Sequence, residues 1–147
     1  MSKIVLCDID GTVANNDHRQ HLLKEFKDWD KFFAALIDDK PIPKVIDLIK
    51  KYNLDGQKIC FITGRPERYR LETENWLNQV FDFHFTLIMR KNGDARNKVE
   101  IKRELFDSNF ISQDILISIE NDELLCQLWA SLGLKVLNVN KFLHQAI

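Results

Sequence analysis

Residues 4–12 read Ile-Val-Leu-Cys-Asp-Ile-Asp-Gly-Thr, and this stretch points to the fold of the whole chain. Its apolar first half is short and rich in β-branched residues, as in a strand that is covered on both faces of a parallel sheet. Gly11 permits the tight turn by which the chain leaves the sheet. The stretch therefore predicts a buried parallel strand that ends in two carboxylates.

Asp8 and Asp10 come at the end of this strand, separated by one apolar residue. Ligands of open α/β sheets bind at the carboxyl edge of the strands. Two acids at that edge can hold a divalent cation, or one can attack an electrophile while the other transfers a proton. A polar turn needs only one aspartate. We therefore interpret the pair as catalytic rather than as turn residues.

The rest of the chain alternates between apolar strands and amphipathic helices. We predict further strands at 58–62, 83–89, 115–119 and 134–139, and two short helices within 22–36 that bury Phe26, Trp29 and Phe33. Later helices are predicted near 45–52, 69–80, 101–106 and 124–132. This order predicts an α/β fold, a three-layer, doubly wound (Rossmann-like) parallel sheet of about five strands. The length of 147 residues predicts a single domain, residues 1–147.

Composition excludes several classes of function. The formal net charge of −1 provides no global basic field to recruit nucleic acid, so any such contact needs a local patch. No apolar stretch approaches the roughly 20 residues of a membrane span. The first strand begins too early to leave room for a signal peptide. We expect a cytoplasmic protein without membrane contact, whose cysteines are reduced core residues.

Polar residues follow three of the predicted strands, and these strand ends share one edge of a parallel sheet. They are Asp8 and Asp10 after the first strand, Thr63 after the second and the Glu120–Asn121–Asp122 cluster after the fourth. Lys102 adds an amine. Acids, a hydroxyl and an amine at one edge are the set expected for phosphoryl transfer to a carboxylate, with Mg²⁺ and the lysine neutralising charge.

These residues resemble, in type and order, the four signature positions of haloacid dehalogenase (HAD) superfamily phosphatases. The resemblance implies that Asp8 is the nucleophile, forming an aspartyl-phosphate, and that Asp10 is the general acid and base. It implies that Thr63 and the backbone N–H of Gly64 bind the phosphoryl group, and that Lys102 pairs with its oxygens. It also implies Mg²⁺ as the cofactor. The implied ligands are Asp8, the backbone carbonyl of Asp10, and one or more of Glu120, Asn121 and Asp122.

Within that superfamily the chain is similar to the 3′-phosphatase domain of polynucleotide kinase/phosphatases. Arg19, the Thr63-Gly64-Arg65 sequence and an Arg90-x-x-Gly-Asp-x-Arg96 loop before Lys102 match motifs of that domain. The similarity implies that Gly64, Arg19, Arg65 and Arg96 bind substrate. For each arginine taken singly, ordinary solvated charge is the less favoured alternative.

Two positions depart from the pattern of that domain. Asn121 stands where an aspartate is usual, and an amide oxygen can bind Mg²⁺ but brings no charge. Lys98 stands where an aspartate is usual, and a second cation near Lys102 would either disfavour the charged form of Lys102 or contact substrate phosphate. Both departures keep open a catalytically weakened HAD protein that only binds phosphate.

The predicted function is a Mg²⁺-dependent phosphomonoesterase that acts on polynucleotide 3′-phosphate ends or on nucleotides. A small-molecule phosphatase such as a 5′-nucleotidase is the alternative enzyme. The intervals between motifs are too short for a large cap domain, so the active edge is expected to be open. Six basic residues within 90–103 favour contact with a phosphate backbone. No phosphate-binding loop of the kinase type occurs, and no obligate protein partner can be read from the sequence.

Overall fold

The computed structural model describes residues 2–24 and 28–145. Its strands are β1 (Ile4–Cys7), β2 (Ala14–Asn15), β3 (Lys40–Pro41), β4 (Lys58–Pro66), β5 (Thr86–Arg90), β6 (Ile115–Glu120) and β7 (Val136–Asn138). Its helices are α1 (His21–Lys24), α2 (Trp29–Ala34), α3 (Pro43–Leu54), α4 (Arg70–Val80), α5 (Lys98–Asn109), α6 (Glu123–Ser131) and α7 (Val139–Leu143). Short 3₁₀ turns cover Asp17–Arg19, Ala35–Asp38, Glu67–Tyr69 and Ser112–Asp114.

Five strands form one parallel sheet in the order β5-β4-β1-β6-β7. The apolar strand that opens the sequence, β1, is the central one and is hydrogen-bonded on both sides. Strands β2 and β3 form a separate two-residue antiparallel ladder. The predicted five-stranded parallel sheet is therefore confirmed.

The side chains of the sheet alternate between two apolar layers. Val5 and Phe61 belong to the layer that packs against α3 and α4. Leu6 belongs to the other layer, with Phe106 of α5 and Trp129 of α6. Because successive strand residues point to opposite faces, both faces of the sheet must be covered by helices. The predicted three-layer arrangement is confirmed, and residues 2–24 and 28–145 form no large cap domain.

The register brings the ends of the central strands to one level. Cys7 pairs with Phe61 of β4 on one side and with Ile119 of β6 on the other. The residues that follow these positions, among them Asp8, Thr63 and Glu120, therefore lie at the same carboxyl edge of the sheet. The three cysteines, Cys7, Cys60 and Cys126, are buried free thiols, as the sequence predicted.

Several strand bounds differ from those expected, among them the end of β4, at Pro66 rather than 62, and the start of β7, at Val136 rather than 134. Two of the differences have a local cause. Strand β5 begins at Thr86 rather than at residue 83, because Phe83 and Phe85 pack against the core from the loop before it. Strand β7 ends at Asn138, because the Asn138 side chain accepts from the backbone N–H of Lys141 and caps α7. The sequence pattern did not predict this short last helix.

The two short helices expected within 22–36 are present as α1 and α2. The expected core position Phe26 lies outside the described residues. Phe33 is buried, but Trp29 is 55% exposed, so its assignment to the core is wrong. Asp28 explains this: its side chain accepts from the backbone N–H of Lys31 and caps the helix, which places Trp29 in the first, exposed turn.

None of the helices formed by residues 2–24 and 28–145 is long and apolar enough to span a membrane.

We predict that Phe61→Ala lowers the free energy of unfolding by about 3–5 kcal/mol, because it opens a cavity in the apolar layer that packs against α3 and α4. Phe61 is fully buried, and its ring lies 5.5 Å from that of Phe81. Urea unfolding monitored by circular dichroism measures the loss. The control is Leu54→Ala, at a position that is 83% exposed, where the change should stay within about 0.5 kcal/mol. Equal effects of the two substitutions would contradict the assignment of Phe61 to the core.

Candidate active site

The carboxyl edge of the sheet forms the floor of an open cleft of about 800 Å³. Apolar side chains from α1 and α2 line one part of the cleft, and the basic segment between β5 and α5 lines another part. Most of the residues singled out from the sequence meet here. The cleft is lined by Asp8, Asp10, Thr63, Gly64, Arg65, Arg96, Lys102, Glu120, Asn121 and Asp122, among others.

Asp8 follows β1 at the centre of the cleft floor and is 7% exposed. One carboxylate oxygen accepts from Nζ of Lys102 at 2.6 Å, and the other lies 3.1 Å from Oγ1 of Thr12. Burial and the nearby charge of Glu120 raise the pKa of Asp8 to about 7, although the ammonium of Lys102 opposes them. Burial and Glu120 thus favour the neutral form of Asp8, whereas Lys102 favours the carboxylate.

Lys102 is almost fully buried on α5 and bridges two carboxylates. Its Nζ lies 2.6 Å from Asp8 and 3.1 Å from Glu120. Burial alone would lower the pKa of Lys102, but the two carboxylates outweigh it and hold the pKa above its ordinary value. Lys102 therefore stays charged. Lys98, the second cation that the sequence places near Lys102, pairs with Asp122 and does not remove the charge of Lys102.

Glu120 ends β6 and is 1% exposed. One oxygen accepts from Lys102 and lies 3.4 Å from Nε1 of Trp129. The other accepts from the backbone N–H groups of Asn121 and Asp122 at 3.1 and 3.2 Å. Both carboxylate oxygens of Glu120 are thus directed at protein donors, so this side chain positions Lys102 and the start of α6.

Asn121 and Asp122 point to different neighbours. Oδ1 of Asn121 lies 3.3 Å from Oγ1 of Thr12, the hydroxyl that also contacts Asp8. Gly11 has φ +79°, and a Cβ on it would collide with the Asn121 amide, so the turn needs glycine on both counts. Asp122 caps α6 by accepting from the N–H of Leu125. Of Glu120, Asn121 and Asp122, Asn121 is the one whose side-chain oxygen contacts the hydroxyl that also contacts Asp8.

Asp10 is held by two guanidinium groups. Oδ1 of Asp10 accepts from Arg19 at 2.7 Å and from Arg65 at 2.8 Å, and Oδ2 accepts from Nε of Arg65 at 3.1 Å. Burial raises the pKa of Asp10, but the charges and hydrogen bonds of Arg65 and Arg19 outweigh it and hold the pKa below its ordinary value. Asp10 is therefore ionised at neutral pH in the free protein.

Asp39 is the residue of this site that the sequence did not reveal. It is buried before β3 and accepts from Nε of Arg19 at 2.8 Å and from Arg65 at 3.3 Å. His18 contacts it at 2.7 Å. The only signal in the sequence is indirect, because two buried arginines need more negative charge than Asp10 supplies.

Arg19 and Arg65 have side chains that are 0% exposed. Arg19 lies behind Asp10, and Arg65 also donates to Oγ1 of Thr73 at 3.2 Å. Both arginines therefore position the carboxylate of Asp10. Their contact with substrate stays a prediction.

The phosphoryl-binding candidates lie beside Asp8. Thr63 is 1% exposed, and its Oγ1 accepts from the N–H of Arg65 at 3.1 Å. A terminal nitrogen of Arg90 would come within 3.2 Å of a Cβ on Gly64, and Nε of Arg90 is buried with no hydrogen-bond partner in the described part of the chain. Arg96 is half exposed and pairs with Asp94 and Glu104.

Within residues 2–24 and 28–145, no three His, Cys, Asp or Glu side chains are grouped so as to hold a metal ion.

Residues 2–142 match the family model of the polynucleotide kinase PNKP phosphatase domain. The chain belongs to this family. It is therefore a HAD-type phosphatase, and the resemblance inferred from the sequence is confirmed.

Three known proteins illustrate the similarity. A protein of Autographa californica nuclear polyhedrosis virus, named as a bifunctional polynucleotide kinase/RNA ligase, is 30% identical over 122 residues, which are 82% of this chain and 16% of the viral protein. A chain of the Pnkp1/Rnl/Hen1 complex has a TM-score of 0.77 at 23% identity and covers 94% of this chain. The class C acid phosphatase of Bacillus anthracis has a TM-score of 0.59 at 21% identity over 82% of this chain.

The chain spans only part of these proteins, 46% of the Pnkp1/Rnl/Hen1 chain and 53% of the acid phosphatase. At these identities the two solved structures show the fold alone.

We predict that Asp39→Asn lowers the free energy of unfolding by about 3–5 kcal/mol, because it leaves two buried guanidinium groups with Asp10 as their remaining anion. Urea unfolding measures the change. The matched control is Asp30→Asn, whose ion pair with Arg68 is exposed at both ends and should contribute no more than about 1 kcal/mol. A loss at Asp39 as small as that at Asp30 would show that the buried cluster is not held by charge.

Proposed function

We propose that the chain hydrolyses phosphomonoesters at the 3′-phosphate ends of polynucleotides through an aspartyl-phosphate on Asp8, with Mg²⁺ as cofactor. The observation that carries the proposal is the pairing of Asp8 with a buried ammonium, 2.6 Å away, in an open cleft that Asp10 also lines. Family membership supports the phosphatase chemistry.

In the first step an oxygen of Asp8 bonds to phosphorus and the ester P–O bond breaks. Lys102 balances the charge that gathers on the phosphoryl oxygens. Asp10 donates a proton to the departing alkoxide, which leaves as an alcohol. In the second step Asp10 accepts a proton from water, whose oxygen attacks phosphorus. The Asp8–phosphorus bond then breaks and inorganic phosphate leaves.

The two guanidinium groups around Asp10 suit the second step, because they keep its carboxylate ready to accept a proton. The first step needs the protonated form. An incoming phosphate dianion favours the protonated form of Asp10, since a nearby negative charge raises the pKa of a carboxyl group. Arg19 and Arg65 hold the carboxylate in place through both steps, and this fixed position is their contribution to the mechanism.

The donor atoms beside Asp8 fit Mg²⁺, which prefers oxygen ligands and few carboxylates. The proposed ligands are the Asp8 carboxylate, the backbone carbonyl of Asp10 and Oδ1 of Asn121. Glu120 and Asp122 are directed at Lys102 and Lys98. When bound, the ion would neutralise charge on the phosphoryl oxygens.

The open cleft and its basic wall support a polynucleotide substrate. Arg90, Lys91, Arg96 and Lys98 line the wall next to the proposed phosphoryl site. Such a surface suits a phosphate backbone that extends from the end being processed. The names of two relatives refer to polynucleotide kinase or contain Pnkp1, which agrees with this substrate class. Three buried free thiols agree with a reducing compartment such as the cytoplasm.

We predict that Asp8→Asn abolishes phosphate release, with a loss of about 10³-fold or more, because an amide oxygen is not a nucleophile of this kind. Phosphate release is measured from a 3′-phosphorylated oligonucleotide, its 5′-phosphorylated counterpart, mononucleotides and glycerol phosphate, each with Mg²⁺ and with EDTA. Asp55→Asn, at an exposed position, is the control.

Release that needs Mg²⁺ and is fastest from the 3′-phosphorylated oligonucleotide supports the whole proposal. Faster release from mononucleotides would instead identify a small-molecule phosphatase. Binding of vanadate or phosphate by the folded protein without any turnover would identify a weakened, phosphate-binding member, as Asn121 in place of an aspartate allows.

We predict that Asn121→Asp tightens Mg²⁺ binding, because it adds a negative charge at a proposed ligand, whose oxygen already shares the Thr12 hydroxyl with Asp8. Isothermal titration calorimetry with MgCl₂ measures the affinity without reference to turnover. Asn78→Asp, on the exposed side of α4, adds the same charge away from the cleft and serves as the control. Equal affinities of wild type and Asn121→Asp would remove Asn121 from the proposed ligand set.

A further inference from the structure

Trp29 is exposed where the cleft opens. It is 55% exposed and lies among the residues that line the cleft together with Asp8. The other two tryptophans, Trp76 and Trp129, are no more than 5% exposed. Leaving so large an apolar ring in water forgoes the stabilisation that burial would give, and this ring lies in the same cleft as the proposed phosphoryl site.

The ring of Trp29 is held in a defined orientation. It stacks on Phe33 with ring centroids 5.8 Å apart and an angle of 24° between planes, and it meets Phe32 edge-on at 5.9 Å. Phe33 in turn packs on Tyr69 at 5.2 Å. A ring fixed in this way loses little conformational freedom when a second flat group stacks on it.

The aromatic wall, formed by Trp29, Phe32 and Phe33, is joined through Tyr69 to the turn after β4. Asp30, the residue after Trp29, pairs with Arg68 at 2.7 Å and lies 3.2 Å from the hydroxyl of Tyr69. Thr63 and Gly64 lie a few residues before this turn. The stacking surface and the proposed phosphoryl-binding residues therefore belong to one connected rim.

The same cleft is lined by Arg90, Lys91, Arg96 and Lys98. Arg96 pairs with Asp94 and Glu104, and Lys98 pairs with Asp122, whereas the other two cations form no ion pair with the described residues. A single nucleic-acid strand presents phosphates along one side and flat bases along the other. Proteins bind such strands by combining a basic groove with aromatic side chains on which bases stack. The cleft thus holds both kinds of side chain together with Asp8.

We propose that Trp29 is a nucleobase-stacking residue, which binds a base within the last nucleotides of the single-stranded end whose 3′-phosphate lies at Asp8. This inference rests on the proposed function. It makes the enzyme selective for ends whose bases are unpaired, because a base inside a duplex already stacks on its neighbours and does not present a free face.

The first test compares KM for a single-stranded 3′-phosphorylated oligonucleotide with KM for the same strand carrying abasic residues at its last three positions. The wild type should prefer the strand with bases. Trp29→Ala should reduce that preference by about 5- to 150-fold, Trp29→Phe should largely keep it, and Leu54→Ala should not change it. A structural role alone would lower kcat on both strands and leave the preference unchanged.

The second test measures binding without turnover. In the inactive Asp8→Asn background, titration with the single-stranded oligonucleotide should quench the fluorescence of Trp29, and Trp29→Phe should remove the quenched signal. The abasic strand should quench little.

The outcomes separate the two proposals. Hydrolysis of glycerol phosphate but of neither oligonucleotide would contradict the polynucleotide substrate and the stacking role together. Hydrolysis of both strands with equal KM, or a preference that survives Trp29→Ala, would overturn the stacking role alone. Quenching by a duplex with a recessed 3′-phosphate as strong as that by the single strand would overturn the selectivity for unpaired ends.

Discussion

One buried ammonium group allows two carboxylates to share the carboxyl edge of the sheet. Nζ of Lys102 contacts Asp8 at the end of β1 and Glu120 at the end of β6. Parallel pairing of these strands brings the two acids to the same level, and both would lose their charge if they were buried there without a cation. The helix that carries Lys102 must therefore pack where it does, and Glu120 then orients the start of α6.

The two aspartates after β1 have opposite electrostatic surroundings. Burial and Glu120 raise the pKa of Asp8 to about 7, whereas Arg65 and Arg19 overcome burial and lower the pKa of Asp10. Carboxyl groups whose environments push their pKa values apart commonly divide nucleophilic and proton-transfer roles. Here the two environments differ in the cation that each carboxylate contacts. Asp8 contacts the ammonium of Lys102, and Asp10 contacts the guanidinium groups of Arg19 and Arg65.

Much of this arrangement could be predicted from the sequence because it follows short-range rules. The apolar run before Asp8 and the strand–helix alternation predicted the parallel sheet, and the polar residues at strand ends predicted the cleft. Asp39 was missed because its partners are distant in sequence and no spacing pattern marks it. Trp29 was assigned to the core because helical periodicity shows which face is apolar but not whether another element covers it.

The segment between β2 and β3 carries Arg19, which binds Asp10, and Asp39, which binds Arg19. The same segment carries the aromatic wall. Arg19 lies near the start of the segment, and Asp39, which it contacts, lies at the end. The antiparallel pairs Ala14–Pro41 and Asn15–Lys40 hold the two ends of the segment together. A deletion that removed the start of the segment, and Arg19 with it, would leave Asp10 with Arg65 as its remaining partner. On the proposal that Trp29 contacts substrate, substitution at Trp29 changes substrate preference while both ends of the segment, and the carboxylate of Asp10 that they help to hold, stay the same.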